Sequence, residues 1–132
     1  MYLLTTHPAG KGGKMKFRLL LWGLSLVLKW SAKTNTAFKH YIRKGKVRIL
    51  IKTADGKYAR VFIFDSGKVS SFSGQTSDYN VALIWKNATV GFKGMMDKGK
   101  DASFNAAAAG NLKIHGMSIY ALWFENGTKL IM

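Results

Sequence analysis

The chain has 132 residues with 21 Lys and Arg against 6 Asp and Glu, a net charge of +15. It is 48% hydrophobic with one proline and no cysteine. That composition excludes an intrinsically disordered chain, a disulfide scaffold, a thiol nucleophile and a thiolate metal site, and the length fits one domain with one core.

The charge is unevenly placed. Through Arg48 there are eleven Lys or Arg and no acid. Such a surplus points to a polyanionic partner, an anionic membrane surface or a nucleic acid; it also serves plain solubility. Residues 1–14 read as a flexible leader: His7 to Lys14 is rich in Gly and Lys but lacks the spacing of a phosphate-binding loop. Residues 15–132 read as a single domain.

Its opening segment, 15–44, is helical in pattern. Phe17 to Trp30 (FRLLLWGLSLVLKW) is strongly apolar, but Lys29 and Lys33 cut it short of the roughly 20 residues a spanning helix needs. It reads as a buried or interfacial helix, with a signal or anchor segment as the competing reading. A break is expected near Lys33 to Asn35, after which Phe38, Tyr41 and Ile42 restore helical spacing up to a stop at Gly45. Lys14, Lys16, Arg18, Lys29, Lys33, Arg43 and Lys44 are the cations of this half expected to face a membrane surface.

Strands follow. KVRILIK (Lys46 to Lys52) alternates, Asp55-Gly56 signals a hairpin, and KYARVFIF returns with two largely apolar faces, so it should be central and covered on both sides. Asp65-Ser66-Gly67 turns into a third, more polar strand, KVSSFSG, and DYNVALIWK from Asp78 makes a fourth. Asn87 or Thr89 should cap a short helix with Val90, Phe92, Met95 and Met96 on its apolar side, ended by Gly99. Ala102 to Ala109 forms a small-residue helix closed by Gly110. Leu112 to His115 is a fifth strand, and Met117 to Phe124 a closing helix. The order predicts an α+β domain: a mostly antiparallel five-stranded sheet covered on one face by helices.

Catalytic groups are sparse. Asp55 and Asp65 suit turns, and no two carboxylates are spaced for acid–base work. His7, His40 and His115 have no metal-ligand spacing. The expectation is no enzyme, no cofactor and no metal. What the chain has in surplus is soft apolar bulk. Phe62, Phe64, Phe72, Leu83, Trp85, Phe92, Met95 and Met96 could line an apolar pocket, with the alanines Ala106 to Ala109 as its small wall, or could simply fill a core.

The stretch from Arg43 to Phe124 resembles the sterol carrier protein-2 (SCP2) domain. The likeness rests on VGFKGMMDKGK (Val90 to Lys100), ASFNAAAA (Ala102 to Ala109), GNLKIHG (Gly110 to Gly116) and MSIYALWF (Met117 to Phe124). Two departures stand out: Asp97 and Lys98 intervene before Gly99, and Met117 stands where an acid is common. The chain ends Lys129-Leu130-Ile131-Met132, not in a peroxisomal signal.

The resemblance implies a helix-covered sheet around an apolar tunnel that binds fatty acids, acyl-CoA or sterols without catalysis. In it Phe92, Met95 and Met96 would face the tunnel, Leu112 and Ile114 would line it from the last strand, and Tyr120 and Trp123 would close one end. The expected function is binding or transfer of a fatty acyl, sterol-like or isoprenoid lipid by a cytoplasmic protein, peripheral at an anionic membrane. The alternatives are a protein-interaction module with a filled tunnel and a basic nucleic-acid-binding module.

Overall fold

A computed structural model describes residues 9–97 and 102–131. Helix α1 (Ala9–Thr34) leads into α2 (Thr36–Ile42), followed by the strands β1 (Lys46–Thr53), β2 (Ala59–Asp65), β3 (Lys68–Ser73) and β4 (Val81–Trp85). Two short helices, α3 (Ala88–Met96) and α4 (Ala102–Ala108), precede β5 (Leu112–Gly116) and the closing helix α5 (Ser118–Lys129). The order of elements is the expected one.

Boundaries differ in places. α1 begins at Ala9, inside what reads as a leader, so only residues 1–8 of that segment lie outside the described residues. The expected break is one residue wide: Asn35 caps α2, its side chain accepting a hydrogen bond from the Phe38 amide at 3.0 Å. Asn87 caps α3 in the same way through the Val90 amide at 2.8 Å. The expected helix stop at Gly99 lies outside the described residues. α5 runs on past the expected end at Phe124 to Lys129. At Gly127 the helix passes close to Tyr41: a side-chain carbon there would sit 3.0 Å from the Tyr41 ring.

The sheet order is β3-β2-β1-β4-β5. β1–β2, β2–β3 and β4–β5 pair antiparallel, and β1–β4 pair parallel. One face carries the main core. Ile49, Ile51, Phe62, Phe64, Val81, Leu83 and Trp85 meet Phe17, Leu21, Leu24 and Leu28 of α1, Phe38 and Ile42 of α2, and Ala121 and Phe124 of α5. Alternation along each strand puts these side chains on one side, and the stripe of α1 at i, i+4, i+7, i+11 matches them.

The opposite face corrects one expectation. β2 is an interior strand, but no described helix covers its second face. Leu50, Val61 and Ala82 form a small cluster there with Tyr79, Ala59, Ile63 and Ile84. What crosses it is the connection from β3 to β4. That segment leaves the top of one edge strand and re-enters the sheet beside β1, parallel to it. It is fastened along its path: Gln75 bonds the Gly56 carbonyl at 3.2 Å and Lys52 Nζ at 3.0 Å, Arg48 reaches Asp78 at 2.7 Å, and Asn80 Oδ1 accepts from the Arg48 amide at 2.7 Å.

Candidate lipid-binding cavity

The helix-covered side of the sheet is divided into a filled half and an open half. The filled half lies under α2 and α5. Trp123 stacks on Tyr41 with centroids 5.4 Å apart and meets Phe64 edge-on at 5.1 Å; Phe124 lies 6.0 Å from both Phe62 and Phe64. The Tyr41 hydroxyl donates to the Trp123 carbonyl at 2.8 Å, which ties α2 to α5. Burial raises the pKa of that hydroxyl above its ordinary value.

The open half holds a cavity of about 260 Å³. Leu20 and Leu24 of α1 form one wall, Leu83 and Trp85 of β4 the floor, Gly94, Met95 and Met96 of α3 a second wall, and Phe124 of α5 the inner end. Ala102 and Ser103 open α4 at its edge. α3 sits close because Gly91 and Gly94 have no side chains: a carbon added at Gly91 would stand 2.8 Å from the Phe17 ring and 3.1 Å from Trp85, and one at Gly94 would collide with the Trp85 ring. The indole N–H of Trp85 is buried without a hydrogen-bond partner among the described residues.

One end of the cavity is polar. Glu125 Oε1 accepts from the Ser103 amide at 2.8 Å, and Lys129 Nζ stands 3.6 Å from Glu125 Oε2. Asp97 and Thr128 complete this rim. The site is therefore an apolar slot with a hydrogen-bonding mouth. Among the described residues no group of His, Asp and Glu could hold a metal ion.

Of the residues expected to line a tunnel, Leu83, Trp85, Met95 and Met96 do line the cavity. Phe62 and Phe64 are buried in the filled half, with Trp123 beside Phe64. Leu112 and Ile114 point to the same side of the sheet but join the core rather than the cavity wall, as do Phe92 and Tyr120. Phe72 is a correction. It pairs with Val61 on the helix-free face and is 43% exposed. The alanine run is another: Ala106 packs on the core, Ala108 and Ala109 are exposed, and only Ala102 reaches the cavity.

Sequence reasoning missed Leu20, Leu24 and the rim residues Glu125 and Lys129. The signal for the last two was their i, i+4 spacing on a helix extended past Gly127. Among the cations expected at a membrane, Lys16, Arg18, Lys29 and Lys33 sit on α1, Arg43 and Lys44 follow α2, and the Lys14 side chain lies outside the described residues.

No family model matches the chain, and no curated protein matches it either. Solved structures do. A protein given as "UbiJ-SCP2 Ubiquinone synthesis protein" superposes with a TM-score of 0.68 at 16% identity, over 86% of this chain and 96% of that one. The fold is SCP2-like. The same SCP2-like arrangement recurs in a candidate sterol carrier protein of Thermus thermophilus, with a TM-score of 0.52 at 11% identity over 90% of this chain and 80% of that one. Part of the sec-alkylsulfatase Pisa1 of a Pseudomonas species also superposes, with a TM-score of 0.52 at 12% identity, over 70% of this chain and 14% of that one.

Proposed function

We propose that this SCP2-like chain is a non-catalytic lipid-binding domain that takes the apolar chain of one lipid into the cavity between α1, α3, α5 and β4. The observation that carries the reading is the cavity itself, apolar-walled and open beside a polar rim. Its volume lies just under the ~300 Å³ at which small-molecule pockets begin, so it suits a chain segment or one ring system rather than a whole lipid. A headgroup would remain at Ser103, Glu125, Thr128 and Lys129. A ligand oxygen within reach of the Trp85 N–H would satisfy that donor. The UbiJ-SCP2 neighbour is a ubiquinone synthesis protein, which favours an isoprenoid ligand over the acyl and sterol classes.

Catalysis is not part of the reading. His40 and His115 are exposed, and Glu125 is engaged by the Ser103 amide and Lys129. Native mass spectrometry of gently purified protein tests the proposal: a one-to-one adduct that solvent extraction removes is expected. Apoprotein alone, with no uptake of an added polyprenyl alcohol or fatty alcohol, would overturn it. Such a result would favour the interaction-module reading, which the aromatic filling under α5 makes the natural second choice.

A further inference from the structure

Helix α1 carries two apolar stripes. The inner one, Phe17, Leu21, Leu24 and Leu28, is buried on the sheet. The outer one repeats the spacing on the opposite side: Met15, Leu19, Trp22, Leu26 and Trp30 are 67%, 59%, 54%, 45% and 69% exposed. A contiguous exposed row of this size marks an interaction surface. Its flanks are basic, with Arg18 and Lys29 on one side, Lys16 on the other and Lys33 in the last turn. α1 has no acidic residue, and the first acid in the chain is Asp55. Beside the stripe runs an open groove of about 1,360 Å³ lined by Met15, Leu19 and Trp22 together with Arg18, Lys57 and Arg60, with no acidic side chain among its lining residues.

We propose that the outer face of α1 docks this domain onto an anionic lipid bilayer, lying in the interface with Trp22 and Trp30 at headgroup depth. A membrane is the occupant that uses both features. Exposed Trp and Leu enter the headgroup and acyl boundary, and the flanking cations meet lipid phosphates. A second copy packed on the same stripe would bring two sets of cations together with no acid on either α1 to answer them. A nucleic acid would engage the cations and leave five large apolar side chains in water. The helix lies on the bilayer rather than across it: its inner stripe is committed to the sheet, and no described helix is long and apolar enough to cross a membrane. The inference does not depend on what fills the cavity. Because Leu20 and Leu24 of the same helix wall the cavity, docking would also set that cavity beside the bilayer.

The full chain is to be sedimented with vesicles of pure phosphatidylcholine and of phosphatidylcholine mixed with phosphatidylglycerol. Binding to the mixed vesicles alone is expected. L19S/L26S alters only exposed positions and should lower that binding about ten-fold or more with unchanged thermal melting. R18Q/K29Q should lower it about five-fold per cation. A second readout survives if the serine variant folds poorly. Of the four tryptophans, only Trp22 and Trp30 are exposed. Mixed vesicles with brominated acyl chains should quench the wild type and leave W22F/W30F unquenched. No sedimentation with mixed vesicles, equal sedimentation of L19S/L26S and wild type, or equal quenching of wild type and W22F/W30F would overturn the proposal. So would a wild-type dimer that L19S/L26S converts to monomer.

Discussion

Tyr41 shows how much one side chain can hold. It stacks on Trp123, overhangs Gly127 and bonds the Trp123 carbonyl. Y41F should keep the stack and lose the hydrogen bond, at a cost of about 1 kcal/mol in denaturant unfolding. The pH dependence follows from the raised pKa. The folded state holds the phenol proton more tightly than the unfolded chain, so this stability is full below the ordinary tyrosine value of about 10 and is lost as pH rises through the folded value. Wild-type unfolding free energy should fall in that alkaline window, and Y41F should lack that part of the fall. Gly94 is a second sensitive point. G94A drives a methyl into the Trp85 ring and should cost about 1–3 kcal/mol by thermal or chemical unfolding. Residue identity alone did not announce either role. Strand alternation placed Phe62, Phe64 and Trp85 on one face, yet whether that face meets a ligand or another ring depends on where Phe124 and Trp123 arrive from α5.

At the scale of elements, the local signals were strong where a backbone need is local. Asn35 and Asn87 announce helix starts because a short side-chain acceptor satisfies an amide three residues on. N87A should therefore destabilise the protein by about 1 kcal/mol, measurable as a lower melting temperature, and N87S should restore most of it. The five strands and their succession along the chain were legible from alternation and turn residues; their order in the sheet and the parallel β1–β4 pairing were not. The strap over the second face of the sheet was not. Gln75, Asp78 and Asn80 are fastened to residues distant in sequence, and no periodicity marks such a path. The extension of α5 was hidden for a related reason. The expected end at Phe124 follows the last apolar residue of the pattern, whereas the close approach of Tyr41 to Gly127 is a tertiary contact that no local spacing marks. The alanine run misled in the opposite way: small side chains suggested a cavity wall, and most of them pack on the core or face water.

At the scale of the molecule, two divisions organise the domain. One is inside, between an aromatic-filled half under α2 and α5 and an open half bounded by α1, α3, β4 and the other side of α5. The other is outside, where a row of exposed apolar side chains and flanking cations meet on α1, with no acid on that helix. The SCP2-like fold was legible from the run of short helices and the GNLKIHG strand, with the superposition at a TM-score of 0.68 agreeing. The extent of the internal space was not, because it depends on how Trp85 and Phe124 pack at its walls, which no spacing encodes. The central claim is that the remaining space holds a lipid chain. Equilibrium titration of a fluorescent polyprenyl or alkyl probe against wild type and M95W tests it most directly. Met95 lines the cavity and is half-buried, so the indole of M95W would occupy the space without displacing the main core. The account predicts saturable one-to-one binding by the wild type and about ten-fold or greater loss in M95W at unchanged melting temperature. Equal affinity for both proteins, or no saturable binding by the wild type, would contradict it.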